Sequence, residues 1–484
     1  MKRSTVAIIT VLVIAELVAA FESSSVFIAL PRLMEVFEAS LAEVQWVATS
    51  YMLMAAAFVV LAGRLGDMFG RKRVLVVILV LSIVGSFISA YATSLGWVVF
   101  GRALQGIAAA TLPLCIGIAR DLLPKKSVPV AVGAISASAL FAGSMGAAAA
   151  GVLIQYTDWP WIFIVAGIGG IGATLIVMAF LPKDTTLDRS ARPDWLGAVL
   201  LPSGITLALL AVTNGNSRGW TSAFVLICAS GGAILLAVWW LWQVRSVSPL
   251  FDVKLLKRRD LGFAYLINVC IALGALGMSV ATPGMLQGSV AAPVGFGLSP
   301  SMTGYLSSFG ALAGALAAFS SSRVTTRFGA ERTVQLCTAT LFISVAGMGL
   351  FMHWLPGFIL MLTLMSGGIG LAFAGISNYL VACISATQTG QVTGFASMIR
   401  TSFNAVSAGL IGTVLALGAI TGTKFTESWA YVAVFIACSV LLLIGFFLSL
   451  LLPRRTVQEG TDSESATEMD DSTSDSAVPS ARTS

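Results

Sequence analysis

"GRLGDMFGRKRV", residues 63–74, and "SRVTTRFGAERT", residues 322–333, can be laid on each other. At an offset of 259 residues, Arg64 meets Arg323, Phe69 meets Phe328, Gly70 meets Gly329 and Arg73 meets Arg332. Each copy follows the second apolar run of its half of the chain, so the match reads as an internal repeat. A parallel repeat of this kind predicts two helical bundles related by an axis along the membrane normal, with a central site that alternates its access.

The sequence around the two copies is that of a polytopic membrane protein, with 57% hydrophobic and 10% charged residues over 484 positions. A helix needs about 20 apolar residues to cross the hydrocarbon core, and barrel strands, which alternate, would not read this way. The expected spans are 5–30, 44–62, 74–92, 96–118, 130–154, 161–181, 195–213, 221–242, 261–286, 301–321, 334–352, 356–381, 394–419 and 430–452. That makes fourteen helices in an all-α integral membrane protein. The first is too long for a cleavable signal peptide and has no small-residue cleavage site.

Six helices per half leave the pair at about 195–242 surplus, as a hairpin inserted between the basic segments "PKDTTLDRSARPDW" and "QVRSVSPLFDVKLLKRRD". The expected organisation is an N-terminal six-helix bundle over 1–181, two inserted helices with basic linkers over 182–260, a C-terminal six-helix bundle over 261–453 and a tail over 454–484. The tail is acidic, rich in Ser and Thr and poor in large apolar residues, and is expected to be a disordered cytoplasmic segment.

With the N-terminus inside, the outward loops hold only Arg32, Arg218 and Lys424, while Arg102 and Arg400 fall within spans; the other 23 of the 28 Lys and Arg lie on the inner side. The positive-inside rule therefore places both termini in the cytoplasm, with the chain in the cell membrane. The net charge of +6 is topological and is no argument for nucleic-acid binding. All six cysteines fall inside or at the ends of spans without a CxxC pair, so disulfides and a metal site are not expected. His353 is the only histidine, and no phosphate-binding Walker loop appears in the inner segments. No cofactor is expected, and the energy source left is an ion gradient.

Of the 22 acidic residues, Glu16 and Glu22 are the only two inside the expected spans. A charge at the helix centre costs roughly 2.5 to 3.5 kcal/mol on insertion scales, so two of them argue for a polar cavity or for protonation. A carboxyl withdrawn from water can exchange its proton near neutral pH. Six residues apart on a helix, the two point roughly 120° apart and differ in depth by about 9 Å, so they cannot form a close dyad. Arg102 enters its span from the outer side to a depth similar to Glu22 and needs a carboxylate or carbonyl partner. Pairing with Glu22 in one state and release in another would tune the acid. Arg400, near the inner end of its span, is expected to snorkel. Asp67, on an inner loop beside Arg64, Arg71 and Arg73, suits a gate that contacts a helix N-terminus or an arginine of the other half. Glycines 143, 146 and 151 permit close helix approach.

These words resemble a family. "GRLGDMFGRKR" looks like the loop signature of the major facilitator superfamily, with Gly63, Leu65, Asp67, Gly70, Arg71 and Arg73 on its pattern. "GRALQGIAAA" (101–110) is similar to its fourth-helix motif, with Arg102, Gln105 and Gly106 in register. "ALPRL" (29–33), "WPWIFI" (159–164) and "SPLFDVKLLKRRD" (248–260) resemble its fourteen-spanner drug:proton antiporters. The fifth-helix antiporter motif stands here as "GSMGAAAAG" (143–151), with Ala147 where proline is expected; Pro160 stands where the family usually has Arg, and Glu22 where it has Asp.

The resemblance implies a proton-coupled multidrug efflux transporter, working as a monomer and not an enzyme, with Glu22 in the coupling role and Glu16 as a cation-attracting or second proton site. Glu16, Glu22, Phe21 and Phe27 would line a cavity that attracts small lipophilic cations. The rivals are a dedicated exporter of one natural product, lipid or amino acid, and a proton-coupled uptake symporter. An intramembrane enzyme or a sensor would have no need of membrane-buried acids.

Overall fold

The computed structural model describes residues 3–39, 41–182, 194–246, 249, 251–384, 388–420 and 426–453. The expected tail, 454–484, lies outside the described residues, as does most of the first basic linker. Backbone groups in lipid must find their partners within the segment, and the apolar runs accordingly form helices. In the first half these are α1 (Arg3–Val36), α2 (Leu41–Phe69), α3 (Arg71–Ala90), α4 (Leu95–Gly106), α5 (Thr111–Leu122), α6 (Val128–Tyr156) and α7 (Pro160–Phe180). A 3-10 turn, Ile107–Ala110, joins α4 and α5 into one span.

The hairpin α8 (Trp195–Arg218) and α9 (Ala223–Arg245) follows. Asp194 caps its start by accepting from the Gly197 N–H at 2.8 Å, and it also accepts from Trp242 Nε1 and Gln243 Nε2 of α9 at 2.8 and 2.6 Å. One carboxylate thus fixes both legs. The second half holds α10 (Arg259–Ile271) and α11 (Met278–Gln287), joined by a π-helical turn, then α12 (Pro300–Phe328), α13 (Ala330–Leu350), α14 (Leu355–Ala382), α15 (Thr389–Leu417) and α16 (Ser428–Leu450).

Twelve helices among the described residues are long and apolar enough to cross a membrane. The sequence expectation was fourteen. The two expected spans outside this set are nevertheless helical: α8, whose apolar stretch is confined to Leu196–Val212, and α15, whose buried face is polar at Gln391, Thr393, Ser397 and Ser407. Hydropathy marks helices that face lipid, and α15 packs along α2, α8 and α5 instead.

The repeat is visible in the backbone. Gly70 and Gly329 are the single residues between α2 and α3 and between α12 and α13, and both take positive φ, 103° and 97°, which glycine adopts without a Cβ penalty. The sequence placed Asp67 on a loop; instead α2 continues to Phe69 and α3 begins at Arg71, so the connection is Gly70 alone. A helix can extend past the hydrocarbon core once its side chains become polar. Across the halves, α2 packs against α15 and α6 against α12.

Candidate functional site

A central cavity of about 400 Å³ is lined from both halves, by Glu16, Ser23 and Ser24 of α1, Tyr51 of α2, and Ser397, Arg400, Thr401 and Asn404 of α15, among others. Glu16 is 5% exposed, and its Oε2 has no hydrogen-bond partner among the described residues. Its charge and that of Arg400 are close enough to interact. The guanidinium of Arg400 lies 4.0 Å from the Phe373 ring centroid and donates to Ser397 Oγ at 3.4 Å. Arg400 therefore does not snorkel to an interface: α15 is an interior helix, and its arginine turns into the cavity.

Glu22 was expected in this lining and is not among the residues that form it. As its angular offset from Glu16 requires, it faces α3. It is 2% exposed and accepts from Ser82 Oγ in a short hydrogen bond and from Ser86 Oγ at 3.3 Å. Gln105 Nε2 donates to Ser86 Oγ at 2.7 Å, and Arg102 Nη1 donates to Gln105 Oε1 at 2.8 Å. Arg102 does not pair with the Glu22 carboxylate. It donates to the Glu22 backbone carbonyl at 2.9 Å and the Val47 carbonyl at 3.3 Å, with its guanidinium 4.4 Å from the Tyr51 ring centroid. The arginine finds carbonyl and π partners one helix away, and the carboxyl is reached through Gln105 and Ser86. Serine hydroxyls donate and accept, so this pocket can hold Glu22 with or without its proton.

Phe21 is half-buried and also absent from the cavity lining, and its backbone lies against α6. The side chain of Phe27, further along α1, lies outside the described residues. Gly146 allows that α1–α6 contact: a Cβ there would meet Ser24 Oγ at 2.5 Å and the Phe21 carbonyl at 3.1 Å. Gly143 has open space around it, so close packing does not explain it, and Gly151 is half-buried.

On the Gly70 face the halves are closed against each other. Asp67 Oδ2 accepts from the Gln391 backbone N–H at 3.2 Å, in the first turn of α15, where a carboxylate is favoured by the helix dipole. Its Oδ1 accepts from Arg71 at 2.7 and 3.1 Å, and Arg71 also donates to Asp121 Oδ2 at 2.6 Å and the Gly117 carbonyl at 2.9 Å. Arg64 acts on Asp67 electrostatically, whereas Arg73 is exposed. Gly63 and Gly390 make the crossing possible, since a Cβ on either would run into the other's carbonyl oxygen. Arg120 donates to Thr389 Oγ1 at 2.8 Å and to the Ile384 carbonyl, and Arg258 donates to the Cys383 carbonyl at 2.9 Å. In the second copy, Thr326 stands at the Asp67 position and among the described residues bonds within its own helix, to the Ser322 and Arg323 carbonyls.

Sequence reasoning missed Ser82, Ser86, Phe373 and Asn404. The i, i+4 pair Ser82 and Ser86 in an otherwise apolar span was a usable signal.

Comparison with known proteins gives a family and a range of cargoes. The model of the Major Facilitator Superfamily matches residues 12–408 and 296–474. The riboflavin transporter RibZ of Clostridioides difficile (strain 630) is 27% identical over 465 residues, covering 94% of this chain and 99% of that protein. The multidrug resistance protein Stp of Mycobacterium tuberculosis (strain CDC 1551 / Oshkosh) is 25% identical over 394 residues, covering 80% of this chain and 72% of that one. The crystal structure of the human organic anion transporter MFSD10 (TETRAN) has a TM-score of 0.68 at 18% identity, over 92% of this chain and 99% of its own, a likeness of fold.

Proposed function

The chain belongs to the major facilitator superfamily, and from that premise we propose that it is a proton-coupled exporter of lipophilic small molecules, working by alternating access. The observation that carries the reading is Glu22. It is a buried carboxyl that accepts from two hydroxyls and has no ion-pair partner among the described residues. Such a group has little structural use, since its burial costs energy that no ion pair returns. Loading and releasing a proton is the use that fits. The cargo binds in the central cavity beside Glu16, and the Asp67 contact holds one side shut while the other is open. In this reading α8 and α15 also cross the membrane, giving the fourteen-span architecture of the drug:proton antiporters, with 1–181 and 261–453 as the two bundles and both termini cytoplasmic. The proton gradient is the energy source, no cofactor takes part, and the monomer is the working unit.

Two expectations change weight. A cationic cargo was inferred from two carboxylates in one cavity; with Glu22 outside the lining and Arg400 inside it, the balance of charge there does not single out cations. Export rests on the antiporter resemblance, and a symporter for uptake has comparable support: α6 has Ala147 in place of the proline of the antiporter motif, and one relative is named for transport of a vitamin.

The test is inverted membrane vesicles carrying the chain, an imposed pH gradient and a fluorescent lipophilic dye. Antiport predicts gradient-driven dye accumulation that dissipates the gradient; dye movement that neither needs nor dissipates it rejects proton antiport. Accumulation with the gradient reversed selects the symporter.

A further inference from the structure

The central cavity adjoins a second chamber of about 410 Å³ across Leu140, Leu276 and Asn404, since these three residues line both. The second chamber lies between α6, α11, α12 and α14 and is largely apolar, with Leu286, Leu306, Met365 and Ile369 in its wall. Each volume lies within the range of small-molecule sites. The first is lined by one carboxyl and one guanidinium, Glu16 and Arg400, and the second by no ionisable side chain.

The charged groups are under-used. Among the described residues Arg400 donates one hydrogen bond, the 3.4 Å contact to Ser397 Oγ, although a guanidinium has five N–H donors. Glu16 Oε2 and Asn404 Oδ1 are buried without a hydrogen-bond partner. Glu16 and Arg400 form no direct ion pair, although they line one cavity from opposite halves. A cargo with one charge would satisfy one of them and be repelled by the other, and buried charge left unpaired is costly. A cargo with both charges satisfies both, and a planar guanidinium takes a carboxylate with two parallel hydrogen bonds.

We propose that the cargo is a zwitterionic amphiphile, its anionic group on Arg400, its ammonium group on Glu16 and its apolar body in the chamber beyond Asn404. The assignment rests on the transporter reading of the same cavity and narrows it to a class of compound. Because the two anchors come from different halves, such a cargo bridges α1 and α15 when bound.

The test is equilibrium binding to the full chain in lipid nanodiscs, with no gradient, using three fluorescent probes that share a dansyl-octyl body and end in an ammonium, a carboxylate or an amino-acid headgroup. The amino-acid probe should bind about tenfold or more tightly than either singly charged probe, as expected when a second buried charge is satisfied. Arg400→Gln should erase its advantage over the ammonium probe, Arg400→Lys should restore part of it, and Glu16→Gln should erase its advantage over the carboxylate probe. The proposal is overturned if the unaltered chain binds the ammonium probe as tightly as the amino-acid probe, or if Arg400→Gln leaves the amino-acid probe's affinity unchanged. The three-probe comparison on the unaltered chain decides even if a variant fails to fold. Binding is read without protons moving, so a failure of proton antiport in vesicles leaves this result standing, and the reverse holds too.

Discussion

Glu22 and Asp67 are both buried carboxylates, yet their surroundings differ in kind. The hydrogen-bond partners of the Glu22 carboxyl are hydroxyls, which suit either protonation state, with the Arg102 charge acting from further off, whereas Asp67 is held by Arg71 and a helix N-terminus, which suit only the charged one. Glu22→Gln keeps the shape and the bonds to Ser82 and Ser86 but carries no exchangeable acid. We predict that it abolishes gradient-driven transport while cargo exchange without a gradient survives. Proton-coupled flux persisting in that variant would remove Glu22 from the mechanism. Asp67→Asn should keep cargo binding and slow turnover, because a charge at a helix N-terminus contributes up to about 2 kcal/mol. That is up to roughly a 30-fold shift away from the closed Gly70 face, read as increased labelling of cysteines placed along the α2–α15 seam. Lost binding with unchanged labelling would count against a gate. Glu22 was legible in the sequence because acids are rare in apolar runs, and Asp67 because it stands in the loop word beside Gly63, Gly70 and the arginines. Arg400 was not: a base near a span end snorkels if its helix faces lipid and turns inward if its helix is interior, and only the tertiary fold decides which. The serines around Glu22 gave a signal only as an i, i+4 pair, because a single hydroxyl in a membrane helix most often bonds its own backbone, as Ser86 also does at 3.0 Å to the Ser82 carbonyl.

The crossing of α2 and α15 depends on two helices touching backbone to backbone at Gly63 and Gly390. Gly63→Ala puts a methyl group into the Gly390 carbonyl, and overpacking of this kind typically costs about 1–3 kcal/mol. The expected result is a lower melting temperature in detergent and greater labelling of the α2–α15 seam. Gly143→Ala, in open space on α6, should leave both unchanged; a comparable loss there would show that α6 closes around Gly143 in another state. Helix existence was legible from hydropathy, but helix ends were not. The expected span 44–62 lengthens to Leu41–Phe69 because hydropathy registers the lipid-facing stretch and is blind to polar turns that continue the helix. For α15 the same blindness acts along its length, since its polar side chains are covered by neighbouring helices.

At the scale of the whole molecule, four matched residues were enough to read the repeat, and the paired positive-φ glycines carry it into the backbone. What the repeat could not convey is where the halves differ. Thr326 in place of Asp67 leaves that position of the second seam without a cross-half carboxylate contact among the described residues, although a Cβ on Gly133 there would come within 3.1 Å of the Ala318 carbonyl. The Gly70 joint has a mechanical consequence. A one-residue elbow has no slack, so α2 cannot swing without levering α3. Asp67 lies just before that elbow, and Ser82 and Ser86 lie about three and four turns beyond it, with their hydroxyls on Glu22. In the proposed transport cycle, movement of the seam would therefore reach the acid as displacement of its hydroxyl partners. Inserting Gly-Gly after Gly70 should leave the melting temperature within a few degrees of the unaltered chain while uncoupling dye transport from proton flux in vesicles. Full coupling in that variant would mean the signal takes another route. With its elbow intact, the chain resembles a crank: the stroke at one face and the valve at the other are parts of a single bent rod.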